Sequence, residues 1–174
     1  MYLEILILAH LARQPAHGYE IKKRVEYNTG GSRALNNNML YPALRRFEEM
    51  GAVHREVVRQ QGKPDRHIYS LTDRGIEILQ SLLREFPAEL AVDEAEFMTR
   101  VAFFDLLEPE TRREILAMRE AMLRRLLEHY TQVIEGTDDA ERRPYIVHVL
   151  AFNEQRTRHE LEWIADLRRV AAGE

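Results

Sequence analysis

The spacing of apolar residues along the chain predicts a mainly helical protein that contains one β-hairpin. At the N-terminus, Leu3, Leu6, Ile7 and Leu11 recur at helical intervals, and Glu4 interrupts the apolar run. This pattern is typical of a core helix. Because no basic segment precedes the run, we do not expect a signal peptide. No later stretch is long and apolar enough to predict a membrane span.

A short amphipathic helix is predicted within residues 40–51. Leu40, Leu44 and Phe47 follow helical spacing and should face a core, and Gly51 ends the pattern. A preceding run of three asparagines can supply the N-cap. An ordinary amphipathic helix would explain these features, but the outward residues are also suited to phosphate and base contacts. These outward residues are Asn37, Asn38, Tyr41, Arg45 and Arg46.

The flanking segments favour DNA recognition over an ordinary helix. Residues 17–25 predict a preceding helix anchored by Tyr19, Ile21 and Val25, and the Gly30 and Gly31 pair predicts a turn. After residue 51 the pattern alternates, crosses a turn at residues 60–64 and returns, which indicates a hairpin. Such a hairpin beside a recognition helix would be a wing, although a solvated turn is the alternative. Its basic residues are Arg59, Lys63 and Arg66.

The remaining pattern is helical throughout. An apolar stripe over residues 76–86 predicts a helix that Pro87 ends or kinks. We expect Phe97, Val101 and Phe104 to share the next helix. Two longer helices are then predicted, over residues 110–135 and 140–172, with a break at residues 136–139.

The last of these helices carries a long apolar stripe that favours dimerisation. The alternative is that the stripe is covered within its own subunit by the helix over residues 110–135. Arg156 and His159 interrupt the stripe, and they could set helix register, bind an effector or lie at the edge of an interface. The residues expected at the dimer interface are Tyr145, Val149, Phe152, Trp163 and Leu167. Candidate effector contacts are Phe97, Phe104, Arg156, His159 and Trp163.

The charge is divided between the two halves of the chain. The net charge of the 174 residues is −4, but residues 1–75 carry +4 and residues 76–174 carry −8. The first half can therefore approach phosphate, and the acidic half would lie beyond the Debye length of about 8 Å from much of the DNA.

Enzymatic chemistry is not indicated. The chain has no cysteine, no glycine-rich phosphate loop and no nucleophile elbow, so we expect neither catalysis nor a cofactor. Its histidines form no i, i+4 pair, and no metal site is expected. His17 is expected to cap or pack at the start of its helix. The absence of cysteine fits a cytoplasmic location.

Three ordered motifs resemble those of PadR-type transcriptional regulators. They are HGYEI at residues 17–21, LYPALRRFEEMGAV at 40–53 and GKPDRHIYSLTDRG at 62–75. Relatives often have Gly-Thr where this chain has Asn38 and Met39, so base contacts of the first helical turn cannot be transferred. The resemblance implies a winged-helix homodimer that binds an inverted-repeat operator, commonly as a repressor that an effector releases.

Together these observations predict a mainly α protein with a small β-hairpin. We expect a winged helix-turn-helix DNA-binding domain over residues 1–86 and an all-helical dimerisation domain over residues 87–174. The expected function is sequence-specific regulation of transcription on double-stranded DNA. The alternative is a protein-interaction adaptor or small-molecule sensor that does not bind an operator. The candidate DNA-binding residues are Lys22, Lys23, Arg33, Asn36, Asn37, Asn38, Tyr41, Arg45, Arg46, Lys63 and Arg66.

Overall fold

A computed structural model describes residues 2–28, 35–59, 65–136 and 144–172 of the chain. Contacts divide the chain into two compact units, Met1–Glu85 and Phe86–Glu174. Independent folding of the two units as domains stays a prediction. No helix among the described residues is both long enough and apolar enough to span a membrane.

The described part of the first unit combines four α-helices with three short strands. The mainly α class with a small antiparallel sheet is therefore confirmed, although the sheet is larger than the single hairpin we expected. In chain order the elements are α1 (Tyr2–Arg13), β1 (Ala16–His17), α2 (Gly18–Asn28), α3 (Asn37–Glu49), β2 (Val53–Val58), β3 (Arg66–Leu71) and α4 (Asp73–Arg84).

The core of the first unit is formed by α1, which is buried on all sides over residues 5–11, and by one face of the other helices. In α3, Leu40, Leu44 and Phe47 are buried, as their spacing predicts. In α2, Ile21 and Val25 are fully buried. The prediction that Tyr19 also anchors α2 is wrong, because its side chain is 73% exposed. Tyr19 precedes Ile21 by two residues, which is roughly 200° of rotation around the helix axis, so its side chain points away from the core.

The three strands form an antiparallel sheet with the order β1-β3-β2. β2 and β3 make the predicted hairpin, in register from Val53 opposite Leu71 to Val58 opposite Arg66. The sequence did not indicate β1, in which Ala16 pairs with Tyr69 and extends the sheet. The predicted turns at residues 30–31 and 60–64 lie outside the described residues.

The LTDRG motif joins the hairpin to the end of α3. Thr72 caps α4 by accepting a hydrogen bond from the Gly75 N–H at 3.0 Å, and its hydroxyl donates to the Gly51 carbonyl at 2.7 Å. Gly51 has φ of +70°, a conformation that favours glycine. A Cβ atom at Gly75 would collide with the carbonyl oxygen of Ala52. These two glycines therefore allow the backbone segments to meet closely.

The described part of the second unit is all-helical. Phe97 lies in the helix Glu94–Val101, whereas Phe104 lies in a separate 3-10 turn after it, so the prediction that they share one helix is wrong. The side chain buried at this bend is Phe103. The elements are a 3-10 turn (Leu90–Val92), α5 (Glu94–Val101), a second 3-10 turn (Phe104–Leu106), α6 (Pro109–Glu135) and α7 (Pro144–Ala172).

Two arginines of the second unit are buried, and no pattern in the sequence indicates their burial. Arg119 of α6 donates to both carboxylate oxygens of Glu160 in α7, at 2.7 and 3.0 Å, and also to the Ala91 carbonyl. Its guanidinium lies 5.2 Å from the centre of the Phe97 ring. Arg119 therefore joins three elements, namely the first 3-10 turn, α6 and α7, and also contacts α5.

The second buried arginine, Arg100, is fully buried within α5. It forms an ion pair at 2.7 Å with Glu96, which lies one helical turn earlier, and its guanidinium lies 5.0 Å from the Phe86 ring centre. The Phe86 and Phe97 rings are also in contact, with 6.2 Å between their centres. The two arginines thus cover two adjacent aromatic rings, which fixes the start of the second unit against α5.

Candidate nucleic-acid interface

The first turn of α3 separates three asparagines into different roles. Asn36 is the N-cap, and its side-chain oxygen accepts a hydrogen bond from the Met39 N–H at 3.0 Å. Asn36 is one of the predicted DNA-binding residues, but in the structure its side-chain oxygen already accepts this hydrogen bond within α3. Asn37 and Asn38 are exposed, so their amides remain available to a ligand.

The exposed face of α3 continues through Tyr41 and Arg45. Arg45 is exposed and makes no ion pair with the part of the chain that is described. Arg46 is exposed too, but it is paired with Glu4 of α1. To bind phosphate, Arg46 would have to break this ion pair. Its role as a DNA contact stays a prediction. A concavity of about 510 Å³ follows this face, and it is lined by Asn37, Asn38, Tyr41, Pro42, Arg45, Arg46 and Glu49.

The HGYE motif connects α2 to both α3 and the hairpin. The His17 N–H donates to the Glu20 carboxylate at 3.1 Å, which caps α2 locally as predicted. The His17 ring lies 3.2 Å from the carbonyl oxygen of His67 in β3. A Cβ atom at Gly18 would lie 3.0 Å from ring carbon Cε1 and the hydroxyl of Tyr41. Glycine at this position therefore allows Tyr41 to lie directly against the start of α2.

A second concavity, of about 700 Å³, lies between α2, α3 and β3. Tyr41 lines both concavities, so its side chain is common to the two surfaces. Burial raises the pKa of Tyr69 above 10, so its hydroxyl stays neutral at physiological pH. The cations of this second concavity are Lys23, Arg24 and Arg66, and its acids are Glu20 and Asp65.

The structure places most of the predicted DNA-binding residues on these three elements. Lys23 is exposed on α2, whereas Lys22 is partly covered and lies 3.9 Å from Glu26. Arg66 begins β3 and is exposed. Arg33 and Lys63 lie outside the described residues, so nothing is added to their prediction.

The apolar stripe predicted on the last helix divides into two parts. The side chains of Tyr145, Val149 and Phe152 are 84%, 59% and 64% exposed. Trp163 and Leu167 are instead partly covered by their own chain. The Trp163 ring packs edge-on against Phe97, with ring centres 6.1 Å apart. The first part of the stripe therefore offers an uncovered apolar surface, and Val170 near the end of α7 is also 72% exposed.

The candidate effector residues differ in burial. Phe97 is fully buried, and Phe104 is only half-buried on its own turn. Arg156 and His159 are both exposed, and their nearest acids are Glu94 at 3.9 Å and Glu162 at 4.0 Å respectively. A ligand could contact Phe97 only after its neighbours move. The effector site stays a prediction.

A two-helix motif followed by an antiparallel hairpin defines the class of the first unit, which is a winged helix-turn-helix fold. Residues 7–81 match the model of the transcriptional regulator PadR-like family. This part of the chain is similar to that family, as its motifs indicated.

Individual proteins and solved structures are also similar to this chain. The Mycobacterium tuberculosis protein named "Probable transcriptional regulator Rv1176c" is 32% identical over 75 residues, which are 43% of this chain and 40% of that protein. A PadR family regulator from Eggerthella lenta is 34% identical, with a TM-score of 0.40, over 46% of this chain and 67% of its own. Bacillus subtilis PadR in complex with operator DNA is 20% identical, with a TM-score of 0.47, over 98% and 99%. The chain thus spans less than half the length of its curated relative.

Proposed function

We propose that the chain is a sequence-specific DNA-binding regulator of transcription. The observation that carries this proposal is the surface on which Tyr41 lies together with exposed residues of α2, α3 and β3. It presents neutral amides beside Lys23, Arg45 and Arg66. Amides read base edges and cations hold phosphate, so both kinds of contact required for operator binding are present on one surface.

In this proposal the residues act in three groups. Asn37 and Asn38 at the start of α3 contact base edges in the major groove. Backbone phosphate is held by the groups that surround them, and the wing extends the same contact beyond α3. The phosphate-binding residues are Tyr41, Arg45, Lys22 and Lys23, with Arg66 and Lys63 contributing from the wing.

We further propose that two copies associate through α7. Tyr145, Ile146, Val149 and Phe152 are exposed on consecutive turns of this helix. Clustered apolar side chains on a helix face are stabilised by burial against a partner. A two-fold dimer places two recognition helices about 34 Å apart, so the operator should be a pseudo-palindrome with half-sites one helical turn apart. The regulator would act as a repressor.

Release by a small-molecule effector belongs to the same proposal. The effector must bind the arrangement that cannot hold DNA more tightly than the arrangement that can. Arg156, His159 and Trp163 are accessible on α7 and are the residues with which such a ligand would first interact. Ligand-dependent loss of DNA binding by the wild-type protein, and its absence in Arg156→Ala, is the corresponding test.

The central experiment is fluorescence anisotropy on DNA from upstream of the protein's own gene, with scrambled competitor and a salt series. We expect competitor-resistant binding that weakens steeply with salt, because phosphate contacts release counterions. Arg45→Ala should weaken binding and flatten the salt slope by about one unit. Arg113→Ala is the matched control, since it removes an equally exposed charge from α6. Absence of binding to every fragment at low salt would instead favour the adaptor or sensor.

Dimerisation is tested by light scattering after size-exclusion chromatography. We expect Phe152→Glu to produce a monomer, because a carboxylate would be buried in the proposed interface. Ala165→Glu adds the same charge at another exposed position of α7 and should leave the dimer intact. DNase footprinting should show two symmetric half-sites, and a single non-symmetric half-site would contradict the two-fold model.

A further inference from the structure

Within α3, Asn38 is the asparagine that faces furthest from the core. Taking the buried Leu40, Leu44 and Phe47 as the direction of the core, 100° per residue places Asn38 roughly 150° away. Asn37 lies only roughly 50° from the core direction on the same scale. The two exposed amides are therefore not equivalent, and Asn38 projects most directly toward a ligand on the outward face.

The two ends of α3 differ in charge, which determines the end that approaches DNA. The N-terminal end carries the partial positive charge of the helix and the neutral side chains of Asn37 and Asn38. The C-terminal end carries Glu48, which pairs with Arg55 at 3.1 Å, and the exposed Glu49. Because carboxylates repel phosphate, α3 should enter the groove with its N-terminal turn and keep Glu49 near the rim. This orientation places Asn38 deepest.

The surroundings of Asn38 leave its amide available. Asn36, two residues earlier, already caps the Met39 N–H. Pro42 lies one turn later on the same face, and its ring has neither a side-chain polar group nor a backbone N–H. In the part of the chain that is described, the Asn38 side chain makes no hydrogen bond. Both its donor and its acceptor can therefore be directed at one base.

We propose that Asn38 reads an adenine in each operator half-site. An asparagine amide fits adenine in the major groove, because its oxygen accepts from N6 and its nitrogen donates to N7. Guanine presents an acceptor in place of the N6 donor, so the paired geometry is lost. This inference rests on the proposed function, and it specifies which residue of α3 sets the base preference. Asn37 is assigned to the edge of the contact.

The first test is in vitro selection of full-length protein against a random duplex library. Wild-type protein should enrich a motif with one adenine per half-site whose preference disappears in Asn38→Ala. Asn37→Ala removes the same group from the neighbouring base-contacting position, so it should lower affinity but keep the preference for that adenine. Circular dichroism confirms that both variants fold. Retention of every adenine preference by Asn38→Ala would overturn the inference.

The second test substitutes 7-deazaadenine, which lacks N7, at the selected position. We expect wild-type affinity to fall about tenfold and the affinity of Asn38→Ala to be unchanged, since one good bidentate contact supplies discrimination of this order. An equal loss in both proteins would overturn the assignment to Asn38. If the selected motif contains an adenine whose preference does not depend on Asn38, this inference is refuted but the proposed function is not. Failure of the wild-type protein to bind or enrich any DNA refutes the proposed function itself.

Discussion

Replacing Glu160 by alanine should destabilise the second unit, because it removes the partner of a buried charge. The Arg119 side chain is 4% exposed, and its guanidinium makes two hydrogen bonds to the Glu160 carboxylate. After the substitution only the Ala91 carbonyl and the Phe97 ring would remain near it. Arginine cannot lose its charge at neutral pH, so the folded state must keep a poorly compensated cation.

The expected loss is about 3 kcal/mol in the free energy of unfolding. Hydrogen bonds to charged groups contribute about 1.5–3 kcal/mol each, and breaking a buried ion pair from one side costs about 3–5 kcal/mol. The Glu160 side chain is 16% exposed. Water can therefore partly replace the carboxylate, which places the effect at the lower end of that range.

Trp163 provides the assay, because it is the only tryptophan in the chain and packs against Phe97 in the same unit. Its fluorescence during urea unfolding should report the loss of this unit's structure. Protein concentration must be the same for all variants, since association changes apparent stability. Glu110→Ala is the control, because its ion pair with Arg113 is exposed, and it should change stability by less than about 0.5 kcal/mol.

A Glu160→Ala variant whose unfolding midpoint equals that of Glu110→Ala would refute this reasoning. A second test uses Arg119→Met, which removes the buried charge and leaves an apolar side chain of similar length. In the double variant with Glu160→Ala, the loss should be smaller than the sum of the single losses, since no unpaired cation remains. Additive losses would show that the two side chains act independently.

Two further predictions concern the first unit. Gly18→Ala should reduce DNA affinity about tenfold, because the new Cβ displaces the Tyr41 ring from the start of α2. Anisotropy measures the affinity, urea unfolding shows whether the variant is folded, and unchanged affinity would contradict the prediction. Burial, with the charges of Arg13 and Arg24, lowers the pKa of His10 below 6.5. Stability should therefore fall as pH drops below 6.5, where the unfolded chain binds the proton first, and thermal unfolding of His10→Gln should show a shallower decline.

Some parts of this fold could be predicted because their signals are local. The spacing of Leu40, Leu44 and Phe47 identified the buried face of α3. The alternating pattern identified β2 and β3 in the same way. β1 has only two residues, too few for any periodicity, and it exists because β3 offers a free edge. The prediction for Tyr19 is wrong because an apolar ring does not by itself place a residue in the core. Tyr19 lies on the opposite side of the helix axis from Ile21.

The buried arginines were missed because their partners are distant in sequence or are read as surface charges. Arg119 and Glu160 are 41 residues apart, so no local pattern joins them. Glu96 and Arg100 are four residues apart, a spacing that is common on solvated helix surfaces. Only packing against Phe86 and Phe97 distinguishes these pairs from exposed ones. Burial of these charges therefore depends on tertiary packing and cannot be read from the local sequence.

The contact between Gly18 and Tyr41 limits how operator preference could be changed by design. Positions 38, 45 and 49 of α3 are exposed and can be varied without disturbing neighbouring elements. Position 41 cannot be varied in the same way, because its ring is fitted to a backbone that carries no side chain at residue 18. A library for altered specificity should therefore randomise these exposed positions and keep both Gly18 and Tyr41 unchanged.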